Sequence, residues 1–306
     1  MKRLLVVIVG PTGAGKSRLA LDLAPGFTAE IVNADSRQVY RRLDIGTAKP
    51  GPSDRALVPH HLLDIVDPDE DFSLALYQQK AFAAIADIHS RGRLPMLVGG
   101  TGLYVWAVVE GWEIPPVPPD PEFRKRLEAQ ATGEGCLLLY ERLRDLDPEA
   151  AAGIDPRNTR RVARALEVCL GAGVPFSRLR RKRTPPFQSL VLGLTMPRAE
   201  LYRRIDRRVE EMMSRGLIDE VRGLLDKGYG FDLAPMSGIG YREIILYLEG
   251  RVTLEEAIQQ IKYRSHQLAR RQYNWFRLRD ARIRWLAAES DGLLAAAQAL
   301  VQEFVR

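Results

Sequence analysis

The sequence predicts an α/β protein, a parallel sheet flanked by helices and interrupted by an all-helical insertion. Apolar, β-branched runs alternate with helical stretches through the N-terminal third of the chain. The first run, Leu4 to Val9, leads into Gly10-Pro11-Thr12-Gly13-Ala14-Gly15-Lys16-Ser17, which fits the P-loop pattern G-x-x-x-x-G-K-[ST] with the strand before it and the helix after it that the pattern needs. Between two proline clusters, Ile114-Pro115-Pro116-Val117-Pro118-Pro119 and Pro185-Pro186, only helical signals occur. The fold is therefore expected to be P-loop NTPase-like, with a first core part over residues 1–114, a helical insertion over 115–189 and a mostly helical second core part over 190–306.

Each element has its own warrant. Val6-Val7-Ile8-Val9 is a buried strand, and Ser17 to Leu23 a helix with Leu19, Ala20 and Leu23 on one face. Glu30 to Ala34 is a short strand ending at Asp35. Ser73 is placed to cap a helix carrying Tyr77, Ala81, Ala84, Ile85 and Ile88 on one side and stopped by Gly92. Leu94 to Val98 is a strand that breaks at Gly99-Gly100-Thr101-Gly102. In the insertion, Glu122 to Ala131, Cys136 to Leu146 and Asn158 to Leu170 read as helices, and a basic run covers Arg178 to Arg183. Leu190 to Thr195 returns to strand character, and everything from Ala199 to Val305 reads as helix.

Composition narrows the class. Hydrophobic residues at 46% and charged residues at 27% are ordinary for a soluble globular enzyme. A formal charge of +6 favours a polyanionic partner. The two cysteines, Cys136 and Cys169, are too far apart for a C-x-x-C motif and fit a reducing cytoplasm without zinc or a disulfide framework. Met1-Lys2-Arg3 and the apolar run behind it imitate a signal peptide, but the run passes into the P-loop and reads as the first core strand. No stretch reaches membrane-spanning length, and His60 and His61 have no third ligand at metal spacing, so a structural role is expected.

The chemistry concentrates at three strand ends: the P-loop, Asp35 and Thr101. Glycines let the P-loop backbone turn successive N–H groups toward anionic oxygens, and the helix behind adds the positive end of its dipole. Lys16 is expected to reach the terminal phosphates and Ser17 to offer its hydroxyl to Mg²⁺. The motif alone does not say which phosphate compound is held. A kinase or ATPase of this fold usually carries an acidic residue at the end of an apolar strand, and here the strand Leu94 to Val98 ends in Gly99-Gly100-Thr101. Asp35 remains, as a metal-shell carboxylate or as a base.

Read together, Gly10 to Ser17, Asn33-Ala34-Asp35-Ser36-Arg37-Gln38-Val39-Tyr40, Ile45-Gly46-Thr47-Ala48-Lys49, His60-His61-Leu62 with Asp64, and Val98 to Tyr104 occur in an order that resembles the tRNA dimethylallyltransferases, bacterial type. The likeness continues through Arg164 to Val168, Gly238-Ile239-Gly240-Tyr241-Arg242 and Gln272 with Trp275-Phe276, and so spans nearly the whole chain. His266 and Leu268 depart from it, standing where arginine and tyrosine are common.

The resemblance implies transfer of a dimethylallyl group from dimethylallyl diphosphate, with Mg²⁺, to the exocyclic amine of the adenine beside the tRNA anticodon. The P-loop would then stabilise a departing diphosphate. The resemblance implies Asp35 as base, with a Mg²⁺-shell or turn-capping role ranked second, and Thr101 near the reacting amine, with a turn residue as its plainer reading. It puts Asp35, Ser36, Arg37, Gln38 and Thr101 near the substrate nucleotide. It puts Arg124, Arg160, Arg161 and Arg164, together with Gly238, Ile239, Gly240, Tyr241, Arg242 and Glu243, at tRNA. The insertion arginines also read as a solvated helix face, and Tyr241 as core. Arg204 and Arg208, one turn apart, are expected either at the diphosphate or paired with Glu200 and Glu211. Arg264, Arg270, Arg271 and Arg277, interleaved with Tyr273, Trp275 and Phe276, suit phosphate contact around a core-facing aromatic set. The partners expected are the tRNA anticodon stem-loop and dimethylallyl diphosphate, with no membrane and no obligate protein partner. A free-adenylate prenyltransferase, a small-molecule kinase and a non-catalytic RNA-binding P-loop protein are the alternatives.

Overall fold

The computed structural model describes residues 3–115, 117, 120–130, 135–179 and 181–306. It separates into two compact units, Met1–Val109 with Pro185–Arg306, and Glu110–Thr184. Pro116, Pro118 and Pro119 of the first proline cluster, Ala131 and Arg180 lie outside the described residues.

The larger unit is built on one sheet, β1 (Leu4–Val9), β2 (Ala29–Asn33), β3 (His60–His61), β4 (Leu94–Val98), β5 (Gln188–Thr195) and β6 (Ile283–Ala287), in the order β3-β2-β4-β1-β5-β6 with every described pair parallel. Covered on both faces, β1 and β2 are buried almost end to end, as their continuous apolar runs require. Its helices are α1 (Lys16–Leu23), α2 (Pro52–Leu57), α3 (Leu74–Ser90) and α4 (Gly102–Val109) before the insertion. The insertion holds α5 (Pro121–Gln130), α6 (Gly135–Leu146), α7 (Pro148–Ala152), α8 (Thr159–Ala172) and α9 (Phe176–Leu179). After it come α10 (Arg198–Ser214), α11 (Leu217–Leu225), α12 (Tyr241–Leu248), α13 (Leu254–Trp275) and α14 (Leu293–Val305).

Local chemistry accounts for the helix limits. Ser73 caps α3 by accepting from the Leu76 amide at 3.2 Å, and Tyr77, Ala81, Ile85 and Ile88 form its buried face. A capping box of Thr253 and Glu256 starts α13. The smaller unit has its own core, in which Leu127, Leu139, Leu143, Val162, Leu166 and Cys169 meet. Buried Asp147 caps α7 through the Ala150 amide and also accepts from the Ser177 amide and hydroxyl, which joins α7 to α9.

Two expectations need correction. The C-terminal part is not all helix, because Ile283–Ala287 pairs with Val191–Thr195 as an edge strand. Five residues are too short a run to separate strand from helix by periodicity. The insertion is displaced from 115–189 to Glu110–Thr184, since Gln188 and Ser189 already pair with Leu4 and Leu5 in the sheet. His60 and His61 themselves make a strand, and His61 Nε2 lies 2.7 Å from Oε2 of buried Glu30, which Arg91 and Arg93 also hold. Among the described residues no helix is long and apolar enough to cross a membrane.

Candidate active site

Sheet register brings the predicted loops together. Ile8 and Asn33 both pair with Val98, so the chain leaves β1, β2 and β4 at one level, into Gly10, Ala34 and Gly99. A side chain at Gly99 would put its Cβ 2.2 Å from the Ala34 carbonyl oxygen, so the third loop can lie against the second only with glycine there. The Thr101 amide donates to that same carbonyl at 3.2 Å.

Asp35 is set by its neighbours. Its amide donates to Asn33 Oδ1 at 3.0 Å, Asn33 Nδ2 donates back to the Asp35 carbonyl at 3.1 Å, and Asp35 Oδ1 accepts from the Arg37 amide at 2.9 Å. The Ser36 amide donates to Thr101 Oγ1 at 3.0 Å, and the Thr101 hydroxyl donates to Ser36 Oγ at 3.3 Å. Asp35 and Thr101, far apart in the chain, thus stand on two loops bonded to each other.

The P-loop carries the positive charge. Gly15, at φ +91°, turns the chain into α1 in a conformation that side chains rarely adopt. Lys16 Nζ donates to the Pro11 carbonyl at 2.8 Å. From α10, Arg208 Nη1 donates to Thr12 Oγ1 at 3.0 Å, while Leu201, Ile205, Val209 and Met212 form the buried stripe of that helix. Burial pushes the Lys16 ammonium down to about 8; the Asp35 carboxylate opposes that shift and the Arg208 guanidinium adds to it. Burial likewise lowers Arg208, with Asp35 again opposing. Two desolvated cations therefore face one carboxylate, and an anionic ligand would relieve their repulsion.

A loop after β2 completes the frame. Gln38 Nε2 donates to the carbonyls of Thr47 and Ala48 at 3.0 and 3.2 Å. The ammonium of Lys49, 1% exposed, donates to the Tyr40 carbonyl and pairs with Asp44 and Asp64. Glu220, on α11, accepts from the successive amides of Asp44, Ile45 and Gly46 and from the Tyr241 hydroxyl. No sequence pattern pointed to Glu220, since its partners are backbone groups far away in the chain.

The remaining predicted residues divide. Arg204 pairs with Glu200 at 3.1 Å, whereas Arg208, one turn on, meets the P-loop. Tyr241 and Glu243 are each 1% exposed: Tyr241 packs under Gly46, and Glu243 accepts from the Gly240 amide at 2.8 Å and pairs with Arg264, so these side chains are structural. Buried Gly238 and Gly240 flank half-buried Ile239 in the turn before α12, and Arg242 lies over the Phe231 ring. Arg37 donates to the Ala234 carbonyl at 2.7 Å, tying that turn to the Asp35 loop.

In the smaller unit Arg160 and Arg161 are exposed at the start of α8. Arg164 is engaged with buried Glu167 and with the Val117 carbonyl, because a buried carboxylate needs a cation. The side chain of Arg124 lies outside those described. On α13, Arg270 and Arg271 are exposed and Phe276 is buried. Arg277 lies past the helix end, and Trp275, expected in the core, is 40% exposed.

Ser17 at the start of α1 and Asp35 after β2 are hard oxygen donors, which suit Mg²⁺ bound mainly through substrate phosphates. Among the described residues no group of three or more His, Cys, Asp or Glu is placed to hold a metal by itself.

Comparison with known proteins shows what the whole chain resembles. The family model for IPP transferase matches residues 38–279. The tRNA dimethylallyltransferase of Roseiflexus castenholzii is 57% identical over 299 residues, 98% of this chain and 97% of that protein. The protein of the same name from Dehalococcoides mccartyi is 50% identical over 285 residues, 93% and 88% of the two chains. The crystal structure of the full-length tRNA isopentenylpyrophosphate transferase from Bacillus halodurans superposes with a TM-score of 0.74 at 43% identity, covering 99% of this chain and 96% of that one. A eukaryotic dimethylallyltransferase caught acting on tRNA gives a TM-score of 0.83 at 29% identity, over 99% of this chain and 79% of its own.

Proposed function

The chain belongs to the IPP transferase family, and from that premise we propose that it transfers a dimethylallyl group from dimethylallyl diphosphate to the N6 amine of the adenine adjacent to the anticodon in tRNA, releasing diphosphate, in the cytoplasm and with Mg²⁺. One observation carries this reading. The β1, β2 and β4 register brings the P-loop, with Arg208 on Thr12, to the level of the Asp35 loop, which is bonded to Thr101, so a base and a leaving-group cradle share one end of the sheet.

Breaking the allylic C–O bond leaves the electron pair on the diphosphate oxygen. Lys16, Arg208 and the P-loop amides meet that growing charge, and they do so more strongly in the transition state than in the ground state. The N–C bond forms as the amine attacks the allylic carbon, and the surplus proton passes to the Asp35 carboxylate. An adenine amine shares its lone pair with the ring, so removal of its proton matters to the rate. Thr101, with its hydroxyl oriented by Ser36, positions the amine. When bound, Mg²⁺ would be held by the Ser17 hydroxyl and by substrate oxygens and would neutralise diphosphate charge. The adenine must leave the stacked anticodon loop to reach the site, at a cost of a few kcal/mol. Arg160 and Arg161 of the smaller unit supply backbone-phosphate contacts.

The test is incubation with labelled dimethylallyl diphosphate, Mg²⁺ and unmodified tRNA, with AMP and with ATP plus small acceptors in parallel. Label on tRNA alone is expected. Label on AMP, or phosphoryl transfer from ATP, overturns the assignment.

A further inference from the structure

Gln272 sits in the last turn of α13, 8% exposed, and its side-chain amide closes two contacts at once. Its Oε1 accepts from the Thr12 amide in the P-loop at 2.8 Å, and its Nε2 donates to the Gly100 carbonyl after β4 at 3.0 Å. Each loop holds one side of the proposed reaction. Thr12 also receives Arg208 through its hydroxyl, and Gly100 precedes Thr101. The geometry points to Gln272 as a positioning residue that fixes the spacing between the diphosphate cradle and Thr101, an inference that rests on the transfer proposed above.

The surroundings favour this role over simple packing. A Cβ on Gly100 would fall 2.3 Å from Gln272 Nε2, so the close approach exists only because that position is glycine. The end of α13 is fastened independently. Trp106 Nε1 donates to the Trp275 carbonyl at 3.1 Å, and a Cβ on Gly102 would lie 2.3 Å from Trp275 Cγ. The helix end is therefore a fixed point against which both loops are measured. The task needs an acceptor and a donor on one planar group of this length. Ionised glutamate lacks the donor, methionine lacks the donor and offers only a weak sulfur acceptor, and asparagine is one methylene too short.

Gln272→Glu and Gln272→Met separate this role from stability. In each, kcat at pH 8 is expected to fall roughly 10²-fold, the effect of a small misplacement of reacting groups, with KM for dimethylallyl diphosphate and Kd for tRNA within about threefold. Lowering the pH toward 5 protonates the new carboxyl and restores a donor to Gly100. The Gln272→Glu to wild-type ratio should then rise, and the Gln272→Met ratio should not. Gln272→Met should also speed exchange of the Thr12 amide proton by tenfold or more. If Gln272→Met fails to fold, the pH ratio of Gln272→Glu decides. A kcat within threefold of wild type, or a ratio flat with pH, overturns the inference. If the wild-type protein itself transfers nothing to tRNA, the functional proposal fails, and the Thr12 exchange rate still decides whether Gln272 holds the loop.

Discussion

A buried lysine that must bind an anion should show itself in the pH dependence of binding. With Lys16 at about 8 in the ligand-free protein, its ammonium is mostly present at pH 7 and reduced to about a tenth at pH 9. Diphosphate binding requires the charged form, so affinity for an unreactive thio-analogue of dimethylallyl diphosphate should fall about tenfold between pH 7 and 9, near 1.4 kcal/mol. An ordinary lysine would keep its affinity until about pH 10. Stability runs the other way. A lysine whose folded value lies below its unfolded 10.5 opposes folding while charged. That opposition is whole below pH 8 and is relieved between 8 and 10.5, by about 3 kcal/mol at most. Titration calorimetry in buffers of different ionisation enthalpy measures both affinity and protons taken up, and thermal melts of wild type against Lys16→Met isolate the stability term. Lys16→Arg, which does not titrate, should bind more weakly but lose the slope. An affinity for wild type that stays level to pH 9.5, or the same slope in Lys16→Arg, would refute the reasoning.

Asp35→Asn should reduce single-turnover transfer by about 10²-fold or more while the Kd for tRNA stays within threefold, and near-normal turnover would remove Asp35 as the base. Arg208→Ala forfeits charge-assisted contacts worth about 1.5–3 kcal/mol, so kcat/KM should drop roughly 10- to 150-fold, whereas Arg204→Ala, already paired with Glu200, should stay within threefold. Equal losses would place both arginines at the ligand. The affinity for tRNA should fall steeply with salt, and Arg160→Ala with Arg161→Ala should reduce the slope of log K against log salt by roughly 1.5. A slope unchanged in the double variant, measured by filter binding over a salt series, would assign those arginines to solvent.

Much of the sheet was legible because its signals are local. β4 covers Leu94–Val98 as expected and Ser73 caps a helix as expected, while Asn158, read as the first helical residue, is the cap of α8. The three strand ends could be named because motif and strand are contiguous in the chain. The turn of α10 that would reach the P-loop could not be named, since Arg204 and Arg208 lie on the same face and differ only in what the fold brings to them. Ile205, packed against Gly13, sets that choice, and their contact spans most of the chain. Tyr241 and Glu243 sit inside a motif that the resemblance assigns to RNA, yet the spacing Gly240 to Glu243 is also that of a helix-capping pair, and the buried side chains follow that pattern.

The contacts that escaped sequence reading share a physical form. Gln272 with Thr12 and Gly100, Glu220 with Asp44 to Gly46, Gln38 with Thr47 and Ala48, and Lys49 with Tyr40 all join a side chain to a backbone group, in the first two cases far away in the chain. A backbone amide or carbonyl is present at nearly every position, so the receiving end carries no residue signature. Each buried backbone group still needs a partner, and that need fixes the loop wherever the partner side chain is anchored. Beyond the direct bonds between the loops after β2 and β4, α13 joins the P-loop to the loop after β4 and α11 holds the segment Asp44 to Gly46 after β2. Substitution at those anchors should alter rate through geometry while the recognisable motif stays intact.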